Sequence, residues 1–205
     1  MYRPNTGYAQ ISISQLQDDI APGYEIDFDG LLRGQTTLAT SALSLSTENI
    51  LSKRVRSLFT LRASETSERE TRYGAEFALN AALGERWIGR AQVGGTKENP
   101  QFDAHYANLA LEYSVNETVS LYVDGRYYRD TGEIENSLFT AAAPGATSRK
   151  VGLGLKWVGD EWSGRAYIAP ISASYEPPLG NVDFFQNLYT DRDWTVFQLA
   201  FSRGY

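Results

Sequence analysis

Residues 104–130, AHYANLALEYSVNETVSLYVDGRYYRD, alternate two kinds of side chain with a period of two. One set is uncharged and comprises Ala107, Leu109, Leu111, Tyr113, Val115, Val119, Leu121, Val123, Gly125 and Tyr127. The other set carries ionised groups in mid-segment, at Glu112, Asp124 and Arg126. Such alternation is typical of a strand whose two faces have different surroundings. With a tight turn at 116–117, the stretch predicts two antiparallel strands.

The surroundings of the uncharged face separate two interpretations of this hairpin. In a water-soluble sheet, the polar face would lie in bulk water and another layer would cover the apolar face. In a membrane barrel, lipid would cover the apolar face and the polar face would line a lumen. The composition, with 42% hydrophobic residues, 13 Tyr, 4 Trp and 18 Gly, suits either. No segment approaches the roughly 20 consecutive apolar residues that a membrane-spanning helix needs.

The same alternation recurs along the chain. Counted from Gly7, it predicts about ten antiparallel strands of roughly the length that a tilted spanning strand needs. The count becomes about twelve if the segment 24–28 pairs with a partner in the last long loop. The segment 51–64, LSKRVRSLFTLRAS, fits either a strand or a basic amphipathic helix, and the strand agrees better with its neighbours.

Short and long connections alternate between the predicted strands. Short turns are expected at Glu48–Asn49, Gly84–Glu85, Asn116–Glu117 and Gly159–Asp160. Longer loops are expected at 18–34, 64–70, 97–103, 130–147 and 174–193, and all of them except 97–103 are acidic. A water-soluble sheet does not require this one-sided distribution of loop lengths, so the pattern favours the membrane interpretation.

Aromatic residues of the apolar set cluster near the expected strand ends. Those beside the short turns are Trp87, Tyr113, Trp157, Trp162 and the terminal Tyr205, and those at the opposite ends are Tyr73 and Tyr127. Trp and Tyr are enriched at membrane–water interfaces, where an amphipathic ring is half in lipid. These seven residues are therefore expected to form two interfacial girdles.

The last residues, DWTVFQLAFSRGY, carry a resemblance to a known class of protein. Phe197, Leu199, Phe201 and Tyr205 are similar to the C-terminal strand signal of Gram-negative outer-membrane β-barrels, while Arg203 departs from it. The resemblance implies an all-β, antiparallel up-and-down transmembrane β-barrel formed by residues 1–205 as one domain. It also implies short periplasmic turns, long external loops and a location in the bacterial outer membrane. The expected partners are membrane lipid, lipopolysaccharide and the barrel-insertion machinery, which would contact the C-terminal strand.

The N-terminal MYRPNTGYAQ lacks the basic start and apolar core of a signal peptide. We therefore expect a mature or excised chain, and the barrel end of a longer protein is an alternative.

The polar set supplies the residues expected to line the lumen. These are Arg54, Arg56, Arg62, Glu76, Arg90, Glu112, Asp124, Arg126, Lys156 and Arg165. Because rings of Arg and Lys select anions, the basic surplus predicts a narrow pore or export conduit for anionic solutes or polysaccharide. The alternative is a barrel plugged by ion pairs between neighbouring strands, whose external loops bind a surface ligand, a phage or lipopolysaccharide.

Composition argues against several other functions. The chain has no cysteine, one histidine and a net charge of −6, so we expect no cofactor, no metal site and no nucleic-acid partner. The chain is expected not to be an enzyme. A hydrolase or acyltransferase using His105 beside Asp103 at the external rim is the second alternative, because a histidine next to a carboxylate could act as a general base.

Overall fold

The computed structural model describes residues 7–26, 32–66, 71–98, 102–132, 144–176 and 190–203. These residues form ten β-strands. The strands are β1 (Ala9–Ile26), β2 (Leu32–Ser52), β3 (Val55–Thr66), β4 (Arg72–Ala82), β5 (Trp87–Glu98), β6 (Phe102–Ser114), β7 (Val119–Asp130), β8 (Ala146–Val158), β9 (Trp162–Tyr175) and β10 (Arg192–Arg203). No helix long and apolar enough to cross a membrane occurs in this part of the chain.

The ten strands form one antiparallel sheet whose order is the order of the chain. Each strand pairs with the next in sequence, as in β6 and β7, where Leu111 lies opposite Val123. The all-β antiparallel prediction is confirmed, as is the count of ten. The segment 51–64 lies mostly in β3, so its interpretation as a strand is confirmed and the helix is wrong.

The sheet is open, which corrects the prediction of a closed barrel. Over the described residues, β1 pairs only with β2 and β10 pairs only with β9, so both are edge strands. Closure needs a further ladder between the first and last strands. Alternation determines the face to which each side chain points but carries no information on whether two distant edges meet, which is why the sequence could not decide this point.

Two local predictions also differ from the structure. Residues 24–26 continue β1 and pair with β2, where Tyr24 lies opposite Gln35, so this segment does not form an additional strand. The turn expected at Glu48–Asn49 is wrong, because β2 runs on to Ser52 and the turn lies at residues 53–54. The other three short turns are confirmed, at 83–86, 115–118 and 159–161.

The connections define two rims of the sheet. The short-turn rim holds residues 53–54, 83–86, 115–118 and 159–161. The loop rim is the opposite edge, where the strand ends lie that the chain connects through residues 27–31, 67–71, 99–101, 131–145 and 176–191. The two longest connections are on the loop rim, but 99–101 is as short as a turn. The predicted asymmetry of connection lengths is therefore present in part.

The two faces of the sheet differ sharply in exposure. Apolar side chains of one face stay exposed, for example Leu109 at 66% and Leu153 at 60%, whereas Glu112 on the other face is 8% exposed. The unequal exposure of the two faces indicates a sheet that curves around its polar face. We call the polar face concave and the apolar face convex.

Hardly any apolar side chain of the described residues is buried. The buried apolar residues are Ala104, Tyr167, Ala169 and Ala173, and no large side chain among the described residues is fully buried. No second layer covers the convex face in the described structure, and Leu121 and Val123 remain exposed. The described residues therefore form no two-layer core of the kind that stabilises a water-soluble domain.

Candidate functional site

The concave face carries most of the residues that the sequence assigned to a lumen. The residues placed there by strand register are Arg56, Arg62, Glu76, Arg90, Glu112, Asp124, Arg126, Lys156 and Arg165. Arg54 is different, since it lies in the turn at 53–54, outside the strands. The side chains are thus assembled from seven strands, β3 to β9, because alternate residues of each strand point to the same face.

Glu112 of β6 is the centre of one ion-pair group. Its carboxylate accepts a hydrogen bond from Arg90 Nη1 at 3.0 Å and lies 3.0 Å from Lys156 Nζ through both of its oxygens. Arg90 is on the adjacent strand β5, whereas Lys156 is on β8 and reaches across β7. The carboxylate is nearly buried and is therefore held by two charge-assisted contacts rather than by water.

Asp124 of β7 is the centre of a second group. Lys150 Nζ lies 2.7 Å from Oδ2, and the Tyr167 hydroxyl donates to Oδ1 at 2.7 Å. Lys150 belongs to β8 and Tyr167 to β9, so this aspartate connects three strands. Both oxygens of the carboxylate are satisfied.

Three tyrosines lie flat over glycines of neighbouring strands. Tyr106 covers Gly94, where a β-carbon would come within 2.7 Å of the ring. Tyr122 covers its cross-strand partner Gly154 closely enough that a β-carbon would overlap the ring. The space left by each missing side chain is what allows the ring to lie against the backbone.

Tyr167 covers Gly152 in the same way, and its ring lies beside that of Tyr122. The two ring centroids are 5.8 Å apart and the planes differ by only 7°. The two rings therefore form one aromatic surface on the concave face.

Each of these tyrosines reaches a charged group two strands away. The Tyr106 hydroxyl donates to Glu76 at 2.5 Å, and the Tyr122 hydroxyl accepts from Arg165 Nε at 2.6 Å. The first contact crosses from β6 over β5 to β4, and the second from β7 over β8 to β9. Tyrosine, glycine and charged residue form a repeated unit that binds three successive strands together.

A cavity of about 530 Å³ adjoins the two ion-pair groups. It is lined by Arg90, Lys150, Lys156 and Arg165 and by only one carboxylate, that of Asp124. Counting Glu112 as well, four cations face two anions, so the cavity is positively charged.

Arg165 differs from the other cations that line this cavity. It donates through Nε to the neutral hydroxyl of Tyr122, and no carboxylate of the described residues lies within ion-pair distance of it. Its guanidinium lies 5.2 Å from the Tyr122 ring and 5.8 Å from the Tyr167 ring. This leaves the two Nη groups of the guanidinium for a ligand, and such a planar fork suits an oxyanion.

The aromatic residues expected at the membrane interfaces lie at both rims of the sheet. Trp87 and Tyr113 are in contact at the short-turn rim, with ring centroids 4.6 Å apart, and Trp157 and Trp162 are exposed near the same rim. At the other end of the strands, Tyr73 is 62% exposed. Tyr127 also lies near the loop rim, and Tyr205 lies outside the described residues.

His105, the candidate general base, is on the convex face. Its ring lies 6.0 Å from that of Tyr127, and within the described structure it has no hydrogen bond or ion pair to a carboxylate. The parts of the chain that the structure covers contain no cluster of three metal-ligating side chains.

Lys150 and the three bridging tyrosines are site residues that the sequence alone did not reveal. Their signal was present: Lys150 has the same parity as Lys156, and the glycines at 152 and 154 alternate with apolar residues of β8. Alternation could not give the register between strands, and the register places each ring on its glycine.

Comparison with known proteins finds no family model that matches the chain and no matching curated protein.

Proposed function

We propose that this chain is a β-barrel protein of a bacterial outer membrane that conducts small anionic solutes through a narrow basic lumen. The observation that supports membrane contact most strongly is the exposure of apolar side chains on the convex face. Its large apolar side chains are exposed row after row, whereas soluble monomers rarely expose contiguous apolar patches larger than a few hundred Å². The polar concave face would then enclose the lumen.

The open edges of the sheet place a condition on this proposal. Unpaired backbone groups are costly in hydrocarbon, by several kcal/mol each, so a sheet with free edges does not persist there. We therefore propose that β1 and β10 pair with each other in the bilayer. Insertion would involve the barrel-insertion machinery, with β10 as its target.

Edge pairing can be tested by disulfide formation because the natural chain has no cysteine. Ile11→Cys would be combined in turn with Phe197→Cys, Leu199→Cys and Phe201→Cys to sample the register. An intramolecular disulfide in vesicles, seen as a mobility shift on a non-reducing gel, is the expected result. Disulfides that form only between molecules, or none in any pair, would contradict closure.

Arg165 should determine selectivity, since it is the cation of the cavity with no carboxylate partner among the described residues. In planar bilayers under a KCl gradient, we expect a reversal potential that indicates anion preference, and Arg165→Gln should reduce that preference several-fold. Arg203→Gln is the matched control, because Arg203 lies on edge strand β10, near Glu161 at the short-turn rim. Cation preference, or equal effects of both variants, would refute an anion conduit.

A plugged recognition barrel is the second candidate, and the cross-strand network favours it. Contacts such as Lys156–Glu112 and Tyr106–Glu76 span the concave face and fill part of it. A chain that inserts but shows a closed trace at all voltages would support this candidate. Replacing residues 133–143 with a short linker should then abolish binding of a surface ligand or lipopolysaccharide without affecting folding.

A further inference from the structure

Two pairs of cations lie directly opposite each other on the concave face. The register of β7 and β8 places Arg126 opposite Lys150, and that of β8 and β9 places Lys156 opposite Arg165. Like charges that face each other across two strands destabilise a sheet. Each pair therefore requires negative charge close to it.

Within each pair the lysine has a carboxylate partner and the arginine has none. Lys150 and Lys156 contact the carboxylates of the two ion-pair groups, at 2.7 and 3.0 Å. Arg126 and Arg165 are exposed, and no carboxylate of the described residues lies within ion-pair distance of either. Arg126 lies 5.8 Å from the ring of Tyr128, much as Arg165 lies beside tyrosine rings. Both guanidinium groups therefore have donors to spare.

The other carboxylates on this part of the concave face are held by other groups. Neither β8 nor β9 contains an acidic residue. On β4, Glu76 accepts a hydrogen bond from the Tyr106 hydroxyl, and on β5, Glu98 pairs with Arg72 at 2.8 Å. On β7, Asp130 accepts from two backbone amides at 2.8 and 3.1 Å. The charge of the two arginines therefore remains uncompensated in the described structure.

The two arginines are far apart along the strand direction. Their lysine neighbours, Lys150 and Lys156, are six residues apart on β8, which corresponds to about 20 Å. Arg126 is four residues from the loop-rim end of β7, and Arg165 is three residues from the short-turn end of β9. One arginine therefore lies towards each end of the concave face.

We propose that the concave face holds two anion sites in series, one at Arg126 and one at Arg165, which a small monovalent anion occupies in turn. A carboxylate fits each site best, because the planar guanidinium can donate to both of its oxygens. At the Arg126 site, two cations and Asp124 leave one positive charge, which one such anion neutralises. The Arg165 site is the stronger, because Arg90 adds a further cation where Lys156 meets Glu112.

The inference rests on the proposed function, because the two sites would lie along the lumen of the conduit. A conducting pore must bind its solute well enough to attract it and weakly enough to release it. Two sites in series meet both requirements, since an anion that enters one site repels an anion held at the other.

Chloride NMR of the full chain, refolded in detergent micelles, measures anion binding without requiring conduction. Chloride that exchanges with a protein site broadens the bulk chloride resonance, and added formate should compete and narrow it. The double variant Arg126→Gln/Arg165→Gln should lower the broadening by about fivefold, because both sites lose their charged donors. Of the single variants, Arg165→Gln should cause the larger loss. Arg203→Gln is the control, because this arginine lies on the convex face, 3.8 Å from a carboxylate of Glu161.

Conductance in mixtures of potassium chloride and potassium formate, at constant total concentration, tests whether the two sites act in series. Two interacting sites should give a conductance minimum at an intermediate mixture. Either single variant should abolish the minimum, whereas Arg203→Gln should keep it. A monotonic dependence in the natural chain, or a minimum that survives both single variants, would overturn the inference.

The two measurements separate this inference from the proposed function. A chain that conducts anions, but whose chloride broadening falls no more in the double variant than in Arg203→Gln, refutes only the two sites. A chain that binds chloride through both arginines and stays closed at all voltages refutes the conduit and supports the two sites as binding sites of a plugged barrel.

Discussion

Gly154→Ala should destabilise the sheet although alanine is a small residue with a better strand propensity. The β-carbon of residue 154 would overlap the Tyr122 ring, which cannot move away freely. The ring is held by its parallel contact with Tyr167 at 5.8 Å and by the hydrogen bond from Arg165 at 2.6 Å. Displacing the ring therefore disturbs contacts on three strands.

The magnitude follows from two opposing effects. Overpacking costs about 1–3 kcal/mol, and replacing a strand glycine returns about 0.5–1 kcal/mol of backbone entropy. The net loss expected for Gly154→Ala is about 1–2 kcal/mol in the free energy of unfolding. Gly125→Ala is the matched control: its β-carbon would have only Lys150 O nearby, at 3.8 Å, so it should be neutral or slightly stabilising.

Equilibrium urea unfolding, followed by tryptophan fluorescence, would measure both variants. Repeating Gly154→Ala in a Tyr122→Ala background completes a double-mutant cycle, in which removal of the ring should make the alanine harmless. The expected coupling between the two positions is about 2 kcal/mol. If Gly154→Ala costs no more than Gly125→Ala, or if the cycle shows no coupling, the packing of tyrosine on glycine does not stabilise this sheet.

Two further substitutions test the concave-face network by the same unfolding assay. Glu112→Gln removes the charge that holds two cations at 3.0 Å, and it should lower the free energy of unfolding by about 1–2 kcal/mol after allowance for the partial exposure of both cations. Its control is Glu117→Gln, in an exposed turn, which should not change the free energy of unfolding. Equal losses in the two variants would count against the network. Tyr167→Phe keeps the ring but loses the hydroxyl contact with Asp124, so about 1 kcal/mol should be lost. Tyr113→Phe serves as its control, since the Tyr113 hydroxyl has no hydrogen bond in the described structure. A comparable loss of stability in Tyr113→Phe would show that the loss in Tyr167→Phe does not come from its contact with Asp124.

Much of the fold could be predicted from side-chain alternation alone. The period of two identified the faces of β6 and β7, and turn residues such as Gly84 placed three of the four short turns correctly. Gly84 has a φ of 154°, in the region that favours glycine. The turn after β2 was placed too early because Glu48 and Asn49 are ordinary turn residues, whereas cross-strand pairing carried β2 on to Ser52.

The candidate site was predictable in outline but not in its contacts. Parity placed Glu112 and Lys156 on one face, yet only the structure shows that Lys156 reaches across β7 to meet Glu112. Tyr122 carried a polar parity and gave no sign of its packing, because the position of a ring over a glycine depends on register between strands. Closure of the sheet depends on contacts between its first and last strands, which local alternation does not encode.

The central claim is that the convex face contacts hydrocarbon while the concave face is enclosed. Nitroxide scanning of residues 119–124 in lipid vesicles tests this directly, and the absence of natural cysteine makes each labelled site unambiguous. We predict that labels at Val119, Leu121 and Val123 collide readily with dissolved oxygen and poorly with an aqueous nickel chelate, and that labels at Tyr122 and Asp124 do not share this oxygen preference. Accessibility without a period of two, or free access of the nickel chelate to Leu121 and Val123, would contradict the claim.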